Sequence, residues 1–255
     1  MASMNLLSRA TSATLLVVLI LIWEVFARFI LPKYDPSAQM LLPPPSQGVQ
    51  DAYGLMQQGA LWQHILASAK RVYLGFLLAA VIAIPLGIVM GLSAGVHRQL
   101  NPLIGVLRPI PPIAWIPITL LWFGVNDAQQ YFIIFIGTFF PMLLNSIAGV
   151  QNIDPVLQRA ALSLGARPKD IFTLTLRAAL PNIFVGVRTS LALGWFIIIA
   201  SEMVSASTGL GFLIIESRTA MITERLYVGM FAIGIIGYLQ DQLLLLLRDR
   251  LIPWA

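Results

Sequence analysis

Long apolar runs broken by short polar stretches set the plan of the chain. Residues 11–31, 72–96, 101–125, 128–150, 182–206 and 226–247 each read as a membrane span. At 1.5 Å per residue, each run is long enough to cross a hydrocarbon core of about 30 Å. The first run is long for a signal sequence and no small-residue cleavage site follows it, so it is expected to stay in the membrane. Within it Glu24 and Arg28 stand one turn apart with the acid first, the favourable order for a helical ion pair. Residues 32–59 are rich in proline and are predicted to follow an extended path, and 61–69 to form a short interfacial helix before the second span. That span carries no charge, with Lys70 and Arg71 at its entrance and His97 and Arg98 at its exit. Pro85 and Gly87 are positions where it would bend.

Two stretches depart from this regular pattern. The third run contains Arg108-Pro-Ile-Pro-Pro-Ile-Ala-Trp-Ile-Pro, whose prolines no regular helix accommodates. Broken backbone at membrane depth survives where it is buried in protein or lines a water-filled path. Arg108, Pro111, Pro112 and Trp115 therefore point either to a path or gate or to an irregular entry into an ordinary helix. The second departure is the polar stretch 151–181, which is predicted to hold two short helices. Asp154 is placed to cap the first, Pro155 suits its first position, and Gly165 is placed to end it. Val156, Leu157, Ala160, Ala161 and Leu164 recur on one face. Pro168 opens the second, with Ile171, Leu174 and Ala178 on its apolar side. So many helix signals in one loop read as a docking surface rather than a tether.

Arg159-Ala160-Ala161, three residues, Gly165, then a basic amphipathic segment ending at Leu180-Pro181 resembles the "EAA" loop of ABC-importer permeases. The usual first Glu of that loop is Arg159 here, and a proline often found before the terminal one is Arg177. The resemblance continues through Trp23-Glu24, His64 to Arg71 and Gly75, the proline-rich 108–117, and Trp122-Phe-Gly. It includes Phe140-Pro-Met-Leu-Leu-Asn145, Ala200-Ser-Glu-Met-Val, Gly209-Leu-Gly-Phe and the terminal Arg248-Asp-Arg-Leu-Ile-Pro-Trp. Together these are similar to the branch that imports nitrate, sulfonates, taurine and bicarbonate. The resemblance implies an all-α polytopic membrane protein with the type I ABC importer permease fold, one permease domain over 1–255. It also implies a permease homodimer, an extracytoplasmic substrate-binding protein, and two cytoplasmic ATPase subunits that hold ATP and Mg. The coupling residues it carries over are Asp154, Arg159, Ala160, Ala161, Gly165, Ala166, Lys169 and Asp170. The chain itself is then expected to be no enzyme and to bind no cofactor.

Composition agrees with a polytopic membrane protein: 58% of residues are hydrophobic and 11% charged. The net charge of +5 is small, and no basic patch with interleaved aromatics suggests nucleic acid. With no cysteine and two distant histidines, a metal or nucleophilic site has little to work with. None of the three lysines follows a glycine, so no Walker-type phosphate cradle is present. Gly209-Leu-Gly is by itself a weak phosphate-loop signal. Six spans of a bacterial inner membrane with both termini in the cytoplasm place Arg98, Arg159, Arg167, Lys169, Arg177, Arg248 and Arg250 on the cytoplasmic side, as the positive-inside rule favours.

Arg71, Arg108 and Arg188 are the candidate contacts for an anionic cargo, and Glu202 a partner or gate element. For Arg71 and Arg108 the competing role is an interfacial anchor reaching lipid headgroups. Arg188 and Glu202 stand fourteen residues apart, about 21 Å along a helix, so they are not expected to pair. Asn145 is expected to bond a neighbouring helix, and Trp115, Trp122 and Trp195 to anchor or pack. An ion-coupled secondary transporter is the alternative, with Glu24, Glu202 and Asp241 as its available acids.

Overall fold

Helix signals dominate because every backbone polar group inside a bilayer must be satisfied within its own segment. In the computed structural model, residues 2–34 and 38–254 are described, with side chains from 14–34 and 40–254. α1 (Ala2–Val25) passes through a π-helical turn (Phe26–Ile30) into α2 (Leu31–Tyr34), so the apolar run 14–34 is one rod. The predicted Glu24–Arg28 pair forms at 3.3 Å, and Glu24 also accepts from the Ser46 backbone N–H and hydroxyl.

The predicted extended path over 32–59 is corrected. α3 (Ala38–Leu41) and α4 (Pro45–Gln57) are helical, and Asp35–Ser37 lie outside the described residues. Pro44 is extended, but Pro45 occupies the first turn of α4, where its missing N–H costs nothing. The separate helix predicted at 61–69 is also corrected. α5 (Ala60–Leu92) is one 33-residue helix, since the charge at Arg71 is buried against partners and gives the chain no reason to leave the bundle.

Ser93 then caps α6 (Ala94–Leu107), accepting from the Val96 N–H at 3.4 Å. The proline run interrupts the third span as predicted. A 3₁₀ turn (Pro112–Trp115) leads into α7 (Ile116–Phe123), bent 80° from α6. α8 (Asp127–Gln151) starts from an Asn126 cap that accepts from the Ala128 and Gln129 N–H groups. After α9 (Pro155–Ser163), α10 (Pro168–Ser205) runs unbroken for 38 residues, about 57 Å. The predicted second short helix and fifth span are therefore one element, with Pro181 tolerated inside it. α11 (Leu210–Thr219) and α12 (Thr223–Leu251) complete the chain. Among the described residues five helices are long and apolar enough to span, and the bent pair, taken as one span, brings the number to six.

α8 is the central rod, packed between α5 and α10. Glycine makes the α5–α8 approach possible: a Cβ added at Gly87 would lie 2.5 Å from the Ser146 Cβ and 2.8 Å from the Leu143 carbonyl. Between membrane helices, where lipid competes equally for apolar contact, such close packing is a main source of association. The apolar windows of α8 and α10 are 56% and 44% buried, while those of α1 and α12 are 6% buried, so the last two form the periphery.

The bundle has two distinct ends. One carries the α5–α6 junction, the α8–α9–α10 elbow and the α12 C-terminus. The other carries the N-terminal part of α5, the start of α8, the end of α10 and α11.

Candidate functional site

The elbow is built by local rules. The Asp154 carboxylate accepts from the Val156 N–H at 2.8 Å, and Pro155 fills the first turn. Gly165 has the predicted positive φ, +83°. The Gly165 N–H bonds the Leu162 carbonyl and the Ala166 N–H bonds the Ala161 carbonyl, both at 3.0 Å, which is a Schellman closure. Asp170 then accepts from the Arg167 backbone N–H at 2.9 Å and from its side chain at 3.1 Å, opening α10 beside Lys169. Arg159 lies along its own helix toward the Pro155 carbonyl, and Ala160 is exposed. Val156, Leu157, Leu162 and Leu164 are 57%, 51%, 57% and 89% exposed, so the elbow presents apolar side chains that the chain leaves uncovered.

At the opposite end, residues 131 apart in sequence meet. Arg71 donates to Glu202 Oε1 at 2.9 Å, to Asp127 Oδ1 at 2.8 Å and to the Thr208 carbonyl at 2.5 Å. Its side chain is 7% exposed and that of Glu202 is 0% exposed. Glu202 also accepts from the Ser68 hydroxyl at 2.8 Å and the Gly211 N–H at 2.9 Å, and the Leu210 N–H donates to Ser68. Gly209, at φ +125°, passes so close to the Glu202 carboxylate that any Cβ there would collide with it. Its N–H donates to His64 Nδ1. The Gly209-Leu-Gly turn thus cradles an anion, but that anion is the protein's own glutamate. Arg71 is accordingly no headgroup anchor, because burial and two carboxylates fix it.

Arg188 and Glu202 do not pair, as expected from their spacing. Arg188 instead makes a two-pronged contact with Asp241 of α12, at 2.5 and 2.7 Å. Trp195 is buried and donates to Gln240, whereas Trp122 is exposed among Phe123 and Phe132.

The third place is a cavity of about 420 Å³ at the broken span, lined by Arg108, Pro112, Gly137, Phe140, Pro141 and Asn145 among others. Three predicted path residues, Arg108, Pro112 and Asn145, converge here, while Pro111 and the half-buried Trp115 hold the bend beside it. The Asn145 amide does not bond a neighbouring helix as predicted. It donates to the Pro141 carbonyl of its own helix at 2.8 Å, while its Cβ lies under Gly186 of α10. The Arg108 side chain is exposed, lines this space and, among the described residues, has no hydrogen-bond or ion-pair partner.

Residues 83–254 match the family model of the binding-protein-dependent transport system inner membrane component. The chain belongs to that family. It is 38% identical to a putative ABC transporter permease protein of Methanocaldococcus jannaschii, over 92% of this chain and 88% of that one. It is 35% identical to the taurine transport system permease protein of Escherichia coli, over 94% and 87% of the two chains. To the nitrate import permease protein of Leptolyngbya laminosa it is 34% identical, over 82% and 78%. A chain of the MetNI methionine ABC transporter, solved in inward-facing conformations, superposes with a TM-score of 0.59 at 19% identity, covering 77% of this permease and 96% of that chain. That likeness carries the fold, the type I importer permease arrangement read from the sequence.

The residues that sequence reasoning missed are Ser68, Asp127 and Thr208 of the charge cluster. Asp127 carried a usable signal, an acid at the start of a span opposite Lys70 and Arg71. Ser68 and Thr208 carried none, because their partners lie 134 and 137 residues away.

Proposed function

We propose that this permease is the transmembrane subunit of an ATP-driven importer for a small anion or zwitterion, a sulfonate, taurine, nitrate, bicarbonate or similar, delivered by an external binding protein. The observation that carries the proposal is the continuity of α10. The exposed elbow at Pro155–Leu164 is joined through Gly165 to a single helix whose last turn carries Glu202 into the opposite cluster. Beyond the short turn at 164–167, a push on the elbow therefore reaches the far end of the bundle along one helix. Two copies of the chain form the path, and two cytoplasmic ATPase subunits holding ATP and Mg seat the elbows. Both termini then lie in the cytoplasm, with the Arg71–Glu202 cluster outside. ATP binding draws the elbows together and turns the path outward; hydrolysis returns it.

Against ion coupling stands the fate of the candidate acids. Glu24, Glu202 and Asp241 each hold an arginine, whereas a proton or cation carrier needs an acid free to change partners.

The test is affinity purification of the chain from its native membrane. Recovery of an ATPase that is lost in a Val156→Asp, Leu157→Asp variant is the expected result. Recovery of the same ATPase with that variant, or of none with the native chain, contradicts the proposal.

A further inference from the structure

We infer that the permease carries its own binding site for a short-chain organic sulfonate at mid-membrane depth, with Arg108 as its charge partner. This rests on the reading of the chain as a small-anion importer, and adds a selective step inside the membrane subunit.

Depth comes first. Gly137, which lines the cavity with Arg108, is ten residues from the start of α8 and fourteen from its end, about 15 and 21 Å. The α8 lining continues from Gly137 to Asn145, six residues from the helix end, so Arg108 opens onto a cavity that spans the middle of α8. An arginine at this depth is retained where it meets a counter-charge or an aqueous path. Arg28, Arg71, Arg188 and Arg225 all hold protein carboxylates. Arg167 and Arg248 hold carboxylates as well, and Arg98, Arg159, Arg177, Arg218 and Arg250 lie toward the two ends of the bundle. Arg108 is the mid-depth cation left for a ligand.

The rest of the lining selects among anions. Ile110, Ile136, Phe140 and Leu144 add apolar side chains to the lining of the cavity. One cation suits a monoanion, and these side chains suit an alkyl tail that nitrate and bicarbonate lack. About 420 Å³ lies within the range of small-ligand pockets and is generous for a four-atom ion. One polar group completes the arrangement. The Asn145 amide, tethered to the Pro141 carbonyl through one N–H, keeps its own oxygen as an acceptor in the lining. An ammonium group at the end of the tail, as in an aminoalkanesulfonate, would take it as a partner.

The experiment is a saturation-transfer NMR titration of ethanesulfonate against the full chain in lipid nanodiscs, with taurine and nitrate as competitors. Saturable binding is expected, with taurine competing and nitrate at least about tenfold weaker than ethanesulfonate. Arg108→Gln should weaken ethanesulfonate at least about tenfold, Arg108→Lys only a few-fold, and Arg98→Gln, a cation at the elbow end, not at all. The Lys variant separates loss of charge from loss of fold. Absence of saturable binding to the native chain, equal binding by Arg108→Gln, or nitrate binding as tightly as ethanesulfonate would overturn the inference. Because the titration needs no ATP, it stands apart from the importer reading. ATP-driven uptake without this binding removes the site alone, and binding without ATP-driven uptake removes the importer reading alone.

Discussion

Replacing Arg71 with alanine removes the cation that bridges two carboxylates, Glu202 and Asp127. The Arg71 and Glu202 side chains are 7% and 0% exposed, so the variant strands Glu202 with only Ser68 and the Gly211 N–H as donors. Asp127 suffers less, because it is 40% exposed and keeps Lys70 at 3.7 Å. Removing one partner of a buried pair typically costs about 3–5 kcal/mol, most of it from the uncompensated charge. At roughly 2–4 °C per kcal/mol for a chain of this size, the melting temperature should fall by about 6–20 °C. Thermal unfolding of the purified permease in detergent, followed by tryptophan fluorescence, measures this directly. The double variant Arg71→Met, Glu202→Gln removes the charge together with its partner and should recover part of the loss. An Arg71→Ala protein melting within about 2 °C of the native one, or a double variant less stable than the single, would refute the reasoning.

Other outcomes follow from the same geometry. Gly165→Val places a β-branched residue at φ +83° where an added Cβ meets no neighbour, so about 1–2 kcal/mol of backbone strain stays local. The variant should melt close to the native protein yet retain less ATPase on purification, whereas Gly165→Asn, tolerant of that φ, should retain more. Gly87→Val should be far more damaging to the fold, because the α5–α8 contact has no room for it; its yield of monodisperse protein in size-exclusion chromatography should drop sharply. Asp154→Ala loses the cap of α9 and should weaken that helix by about 0.5–2 kcal/mol, visible as faster hydrogen exchange at Val156 and Leu157.

Where the sequence was legible, the signals were local. Asp154, Pro155 and Gly165 each act within a few residues, and each does in the structure what its chemistry suggests. The proline run at 108–117 was equally plain, since no helix absorbs it. Continuity was harder to read. Pro181 and the charges at Lys70 and Arg71 look like boundaries, yet α10 and α5 pass through them because neighbouring elements meet the cost. The partners of Arg71 and Arg188 were hidden, since the contacts span 131 and 53 residues and leave no periodic trace. The Gly209-Leu-Gly turn was recognisable as an anion cradle in type, but only the fold reveals that Glu202 fills it.

Energy transmission from the elbow to the bundle is tested most directly by uptake into proteoliposomes holding this permease with its copurified ATPase and binding protein. Radiolabelled taurine should enter when ATP is supplied on the elbow side, continue when ionophores collapse all ion gradients, and stop in the Gly165→Val variant. Uptake that needs an ion gradient and proceeds without ATP would contradict the proposed importer.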